Sequence, residues 1–305
     1  MRLLILPHIK IHNANALSSP FTIGFPAMTA WLGFTHALER KLNKAGFEDL
    51  IFQSTAVVSH KFDLQTYKGD GDFVHSIVGT GNPLEPKPEK DKPEGNAARP
   101  SFIEEARCHL EVSLVIEYEV NEEGIDEESF VNTLHRMVST MKVAGGDIQS
   151  LDIPQAKHVN EQDEKETGKV VRQLMPGYVL IERRDLMIEA MEQGEDALDA
   201  MLGYLTVNHT CEQLEDESVV WRSQRKSSGW IVPIATGFQG ISDLGHAKNQ
   251  RDPDTPHRFA ESVVTLGEFV MAYRIKSLDD MLWHYYPDLE NNLYLCQQNN
   301  HFEKN

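Results

Sequence analysis

Residues 102–120, FIEEARCHLEVSLVIEYEV, alternate apolar and polar side chains along almost their whole length. A period of two over so long a run marks a β-strand with one face toward a core. Around it the sequence reads as a short buried strand at 2–7 (RLLILP), a helix from Pro26, a strand at 49–63, a helix at 126–142 and a strand beginning at Ile148. In the first helix Trp31, Phe34, Leu38 and Leu42 share one face, and Gly46 supplies the stop. Pro26 suits a first turn, and Ala144, Gly145 and Gly146 close the second helix. The order strand, helix, strand, strand, helix, strand predicts an α+β protein with a ferredoxin-like βαββαβ domain. RNA recognition motifs share that arrangement, but their aromatic signature is absent from this chain.

The expected domain spans 1–160, with an inserted Gly-, Pro- and charge-rich segment at 64–100. The second region, 161–305, follows an acidic linker, 160–169. It reads as a turn and strand at VVRQLMPGYVLIERR, helices at 184–192 and 195–205, then short strands and loops over 219–286. A helix is expected around Leu278 to Tyr286.

Of the 305 residues, 40% are apolar, enough for a sizeable core. No run is long and apolar enough for a membrane helix, and Pro7 and His8 interrupt the N-terminal apolar stretch. Three widely spaced cysteines, Cys108, Cys211 and Cys296, argue against a disulfide framework and a cysteine zinc site, and favour the cytoplasm. The net charge of −18 opposes nonspecific nucleic-acid binding. Yet five Lys/Arg and one Asp lie between Arg222 and Arg251.

That stretch holds the main candidate site. Arg222, Arg225, Lys226, Arg251 and Arg258 carry charge, and Trp230 and Phe238 offer stacking faces. Gln239, Ser242 and Asn249 offer hydrogen bonds, while Gly229, Gly237 and Gly240 allow close approach. These are the elements of a single-stranded RNA site. The same residues also describe a β-hairpin with core aromatics and solvated arginines. A polar loop with His12, Asn13, Asn15, Ser18 and Ser19 is a second candidate, or an ordinary turn. The pair Gly145–Gly146 either lets an RNA backbone pass or caps a helix. His12, His36, His60 and His257 are conceivable general acids or bases, but nothing in the sequence places two of them together, and no HExxH, GxSxG or phosphate-cradling GxxxxGK(S/T) motif occurs. No catalytic residue, cofactor or metal site is expected. Asp252 and Asp254, flanking Pro253, read as a turn or as partners for Arg251 and Arg258 before they read as a metal site.

The runs LILPHIKIHNANALSSPFTIGFPAMTAWLGFTHALERKL, MPGYVLIERR, GWIVPIATGFQGIS and RDPDTPHRFAESVVTLGEF together resemble the handle-binding second subunits of type I-F CRISPR (Csy) surveillance complexes, members of the fifth Cas family in the RAMP superfamily. The resemblance spans residues 3–286. It implies a modified RNA-recognition-type domain with an added C-terminal thumb-like part. It also implies a non-catalytic role: binding the 5′ handle of the CRISPR RNA, beside the large subunit and against the first backbone subunit. Double-stranded target DNA would be met only through the assembled complex. The alternative is a metal-independent CRISPR RNA-processing endoribonuclease of related fold.

Overall fold

The computed structural model describes residues 1–81, 102–120, 126–214, 216, 218–250 and 252–299. Most of the insertion (82–100) and Arg251 therefore lie outside the described residues. The long alternating run is the centre of the molecule. Its strand, β3 (Arg107–Glu119), lies between β1 (Arg2–Asn15) and β2 (Ile51–Leu64), antiparallel to both. On the far side of β1 run β5 (Gly146–Ser150) and β6 (Gln155–His158), with the short β4 (Lys142–Val143) outermost. The order β5-β1-β3-β2 is thus antiparallel throughout, with α1 (Met28–Lys44) after β1 and α2 (Glu127–Val138) after β3.

Both helices cover one face. Trp31, Leu38 and Leu42 of α1 and Phe130, Leu134 and Val138 of α2 bury against Leu4, Leu6, Leu114 and Ile116. Gly46, at φ 104°, ends α1 as expected. The helix begins at Met28 rather than Pro26, whose carbonyl instead accepts the Trp31 indole N–H at 3.2 Å.

The sheet does not stop at β2. It continues through β7 (Tyr178–Glu182), β11 (Ala260–Met271), β10 (Ile231–Gly240), β13 (Leu293–Gln298) and β12 (Trp283–Asp288). Trp283 of β12 then pairs with Thr55 of β2, which closes six strands into a ring. Leu180, Ile234, Phe269, Trp283 and Cys296 from the ring join the same core as α1. On the opposite face, α3 (Glu164–Gln173) buries Val170 and Val171 against Leu3, Ile5, Val58 and Val115. Two further helices, α4 (Arg184–Glu192) and α5 (Ala197–Leu205), pack on Ile231 and Leu266.

Four expectations need correction. The first strand runs to Asn15, because two bulges let it carry polar residues on the face that α1 and α2 leave open. The acidic linker is half helix: Asp163 caps α3 by accepting from the Lys165 N–H at 2.8 Å, and the buried valines hold it. Gly145 and Gly146 do not cap α2, which ends at Val138; they turn the chain between β4 and β5. Around Leu278 there is one 3-10 turn, Leu278–Met281, followed by strand β12, since Trp283 must reach the core.

Candidate nucleic-acid interface

The basic stretch is distributed over three places. Arg222 lies in a two-stranded ribbon, β8 (Asn208–Gln213) with β9 (Val219–Gln224), which forms a sheet of its own; Arg225 follows just past β9. Nearly every described residue of the ribbon is exposed, and Trp221 is 69% exposed. Arg222 reaches Glu212 at 3.4 Å across the strands, an exposed pair of small energetic weight. Lys226 anchors the ribbon's base: its Nζ lies 2.7 Å from Glu195 and over the Tyr204 ring.

Trp230 is elsewhere. Its ring meets Tyr178 at 5.3 Å and Phe269 at 5.0 Å, and Phe269 contacts Phe25, which contacts Phe62. The tryptophan is thus half core and half surface, 50% exposed. Gly229, at φ 108°, holds a backbone conformation that residues with a side chain rarely adopt. Phe238 lies eight residues further along an extended strand, roughly 26 Å away at about 3.3 Å per residue. With Phe238 cluster Gln239, Ser242, Arg258 and Asn292. Arg258 bonds the Asn292 side chain, and Ser242 Oγ accepts from the Phe259 N–H at 2.9 Å. Asn249, at φ 62°, turns the loop that follows.

The other two predicted groups converge on one corner. The Asn15 N–H donates to the Ala144 carbonyl at 2.8 Å, and the Asn13 carbonyl accepts from Arg107 at 3.4 Å. Ser18 lies 3.1 Å from Thr22 in a tight turn packed against β10. Gly146 is explained by packing alone, because a Cβ there would sit 2.8 Å from the Ala14 backbone.

Sequence reasoning missed the open face of β1, β2 and β3. His8 stacks on His60 with centroids 4.3 Å apart, and His12 stacks on His109 at 4.2 Å. Two of the histidines treated as isolated are therefore each paired, with partners the sequence did not single out. Between the pairs, Glu111 faces Lys10 on one neighbouring strand and Lys61 on the other. Burial pulls the His60 imidazole below its ordinary value, against the hydrogen bond to the Pro176 carbonyl. The available signal was parity: His8 and His12 are four apart on β1, and His109 is two from Glu111 on β3. The two bulges broke that count. Among the described residues no cluster of three His, Cys, Asp or Glu is placed to hold a metal ion, and no helix is long and apolar enough to cross a membrane.

Comparison with known proteins gives one consistent result. A family model described as CRISPR-associated protein (Cas_Csy2) matches residues 4–296. The CRISPR-associated protein Csy2 of Pseudomonas aeruginosa (strain UCBPP-PA14) is 31% identical over 320 residues, covering 96% of this chain and 94% of that protein.

Proposed function

The chain belongs to the Csy2 family of CRISPR-associated proteins of type I-F systems, and from that premise we propose that it is the non-catalytic cytoplasmic subunit that holds the 5′ handle of the CRISPR RNA, with the large subunit at its side. The β5-β1-β3-β2 order, with a helix after β1 and after β3, supports a ferredoxin-like domain over 1–160. Residues 161–305 add the ring and the thumb.

The observation that carries the reading is the ribbon β8–β9. A two-stranded ribbon exposed on both faces is marginal in water; it gains order from what it grips. Arg222, Arg225 and Trp221 give it charge and a stacking face suited to single-stranded RNA. The same segment also carries Glu212, Glu215, Asp216 and Glu217, so its arginines suit a grip on one short stretch of RNA rather than nonspecific binding. In this reading the ribbon is the thumb and faces the first backbone subunit. Trp230 and Phe238, too far apart to share a nucleotide, serve different positions along the strand.

The test is assembly. The double variant Arg222→Ala, Arg225→Ala, purified with the large subunit, should retain guide RNA about tenfold less well than the parent. Unchanged retention would remove the ribbon from the site. Cleavage of precursor RNA by this chain alone would replace the whole reading with the endoribonuclease.

A further inference from the structure

On the open sheet face His8, His60, Glu111 and Ser113 come together beside a cleft, apart from the ribbon. β1 slips its register with β3 between Leu6 and Ile9, and His8, inside that bulge, has φ 47°. Histidine, like asparagine and aspartate, is among the non-glycine residues that take up such a backbone, and bulges re-aim side chains. Here the bulge presents a fixed ring. His8 Nδ1 lies 2.8 Å from Glu111 Oε1, and the His8 N–H donates to Ser113 Oγ at 3.1 Å. The same Ser113 oxygen lies 2.7 Å from His60 Nε2, while His60 Nδ1 meets the Pro176 carbonyl at 2.6 Å. Each ring is thus held at a nitrogen and by its neighbour's face, and the His8 side chain is still one-third exposed.

This clamped ring borders a cavity of about 590 Å³ between β1, the loop 151–154 and the end of α3. The volume falls within the range of small-ligand sites. Ile5, Pro7 and Leu174 supply apolar wall; Asp152 and Gln155 supply edges. Among the described residues neither of those two side chains has a hydrogen-bond partner. A flat aromatic ring, apolar walls and a few amide or carboxylate groups are what an unstacked nucleobase requires.

We propose that this cleft takes one flipped-out nucleobase of the RNA held by the chain, packed against His8 and read at its edge by Asp152 and Gln155. An ionised carboxylate only accepts hydrogen bonds. Guanine, which presents its N1–H and amino donors side by side, should therefore be preferred, and uracil, whose single N3–H lies between two carbonyl oxygens, should be held least well. The proposal rests on the RNA-holding reading but not on the ribbon.

A double-mutant cycle tests it. The parent chain and the variant Asp152→Ala, Gln155→Ala, each with the large subunit, are titrated with guide RNAs abasic at one handle position at a time. Both substituted residues are exposed, so the fold should survive, and thermal melting checks that. At one position base removal should weaken the parent roughly tenfold and the variant clearly less, since the variant keeps only the stacking on His8, and uridine there should fall between guanosine and the abasic site in the parent. Equal losses for both proteins at every position would overturn the pocket and leave the RNA-holding reading intact. Failure of the parent to retain any guide RNA would overturn both. Free nucleoside monophosphates form the control arm: saturable binding abolished by the variant, without coupling in the RNA cycle, would assign the cleft to a free nucleotide and overturn the proposal.

Discussion

The two halves of the sheet treat polar groups in opposite ways. In the N-terminal half, β1, β2, β3 and β5 carry helices on one face and leave two histidine pairs, Glu111 and two lysines on part of the other. In the C-terminal half the strands close back onto β2, and Glu182 finds its partner inside. Glu182 is 4% exposed; its N–H donates to Gln298 Oε1 at 2.7 Å, and its carboxylate accepts from the Gln298 N–H at 3.1 Å. Only the Gln298 Nε2 of the pair is buried without a hydrogen-bond partner among the described residues, and it is closed off from solvent. An open face retains hydrogen-bonding capacity toward solvent, which a closed ring does not.

The largest break in this contrast is Trp283→Ala. The side chain is fully buried, donates to the Leu180 carbonyl at 2.9 Å and begins the strand that closes the ring. Its loss should cost about 3–5 kcal/mol in denaturant unfolding. His12→Ala on the exposed face should stay within about 0.5 kcal/mol. Comparable losses for the two would mean that the open face is as structural as the ring.

Next in size is Gly146→Ala. The new Cβ would sit 2.7 Å from Ile11 Cγ2 and 2.8 Å from the Ala14 backbone, and overpacking of this kind costs about 1–3 kcal/mol. The measurement also separates two uses of the glycine. A variant that melts normally yet loses guide RNA would return Gly146 to the RNA site.

Much of this architecture was written in local pattern. The alternation of 102–120 and the helical spacing of Trp31, Phe34, Leu38 and Leu42 depend only on neighbours in sequence; the helix stands where the pattern puts it, while the strand covers 107–119 and 102–105 splits off at Ala106 to pair with Thr80–Gly81. The ring was not legible, because closure depends on Trp283 meeting Thr55 across more than two hundred residues. Helix α3 was hidden by its acidic first turn, where the charge is favourable at a helix N-terminus rather than a mark of a linker. The candidate site suffered most. Composition gathered Arg222, Trp230 and Phe238 into one patch, but an extended strand spends about 3.3 Å on every residue and carries them apart. The histidine pairs were invisible for the converse reason: register, not sequence proximity, brings His8 to His60 and His12 to His109.

The two halves should also answer pH with opposite signs. Burial depresses the His60 imidazole. The unfolded chain therefore takes up a proton first, and stability contributed by the neutral ring is lost as pH falls below about 6.5. Burial raises the Glu182 carboxyl, against the pull of Arg184. Its contribution is complete below about pH 4.5 and is lost as pH rises through the folded value. Melting curves of His60→Gln should lose the acidic slope, and those of Glu182→Gln the rising-pH slope. Exchanged effects would reverse the assignment of the two groups.

The smallest effect on stability, and the sharpest on function, is expected at the ribbon. Trp221 lies opposite Cys211 with most of its ring in solvent. Trp221→Ala should therefore change the unfolding free energy by less than about 0.5 kcal/mol. If the ring stacks on a nucleotide, the same change should weaken guide-RNA retention roughly tenfold, since base–aromatic stacking is worth about 1–3 kcal/mol. Trp221→Phe should restore most of it, because a phenyl face still stacks. Rescue by phenylalanine also distinguishes stacking from a protein contact that needs the indole N–H, which phenylalanine would not rescue. A tryptophan that is dispensable for folding but required for holding RNA would place the grip outside both halves of the sheet. The sheet would then be the frame, and the ribbon the part that depends on RNA for its order.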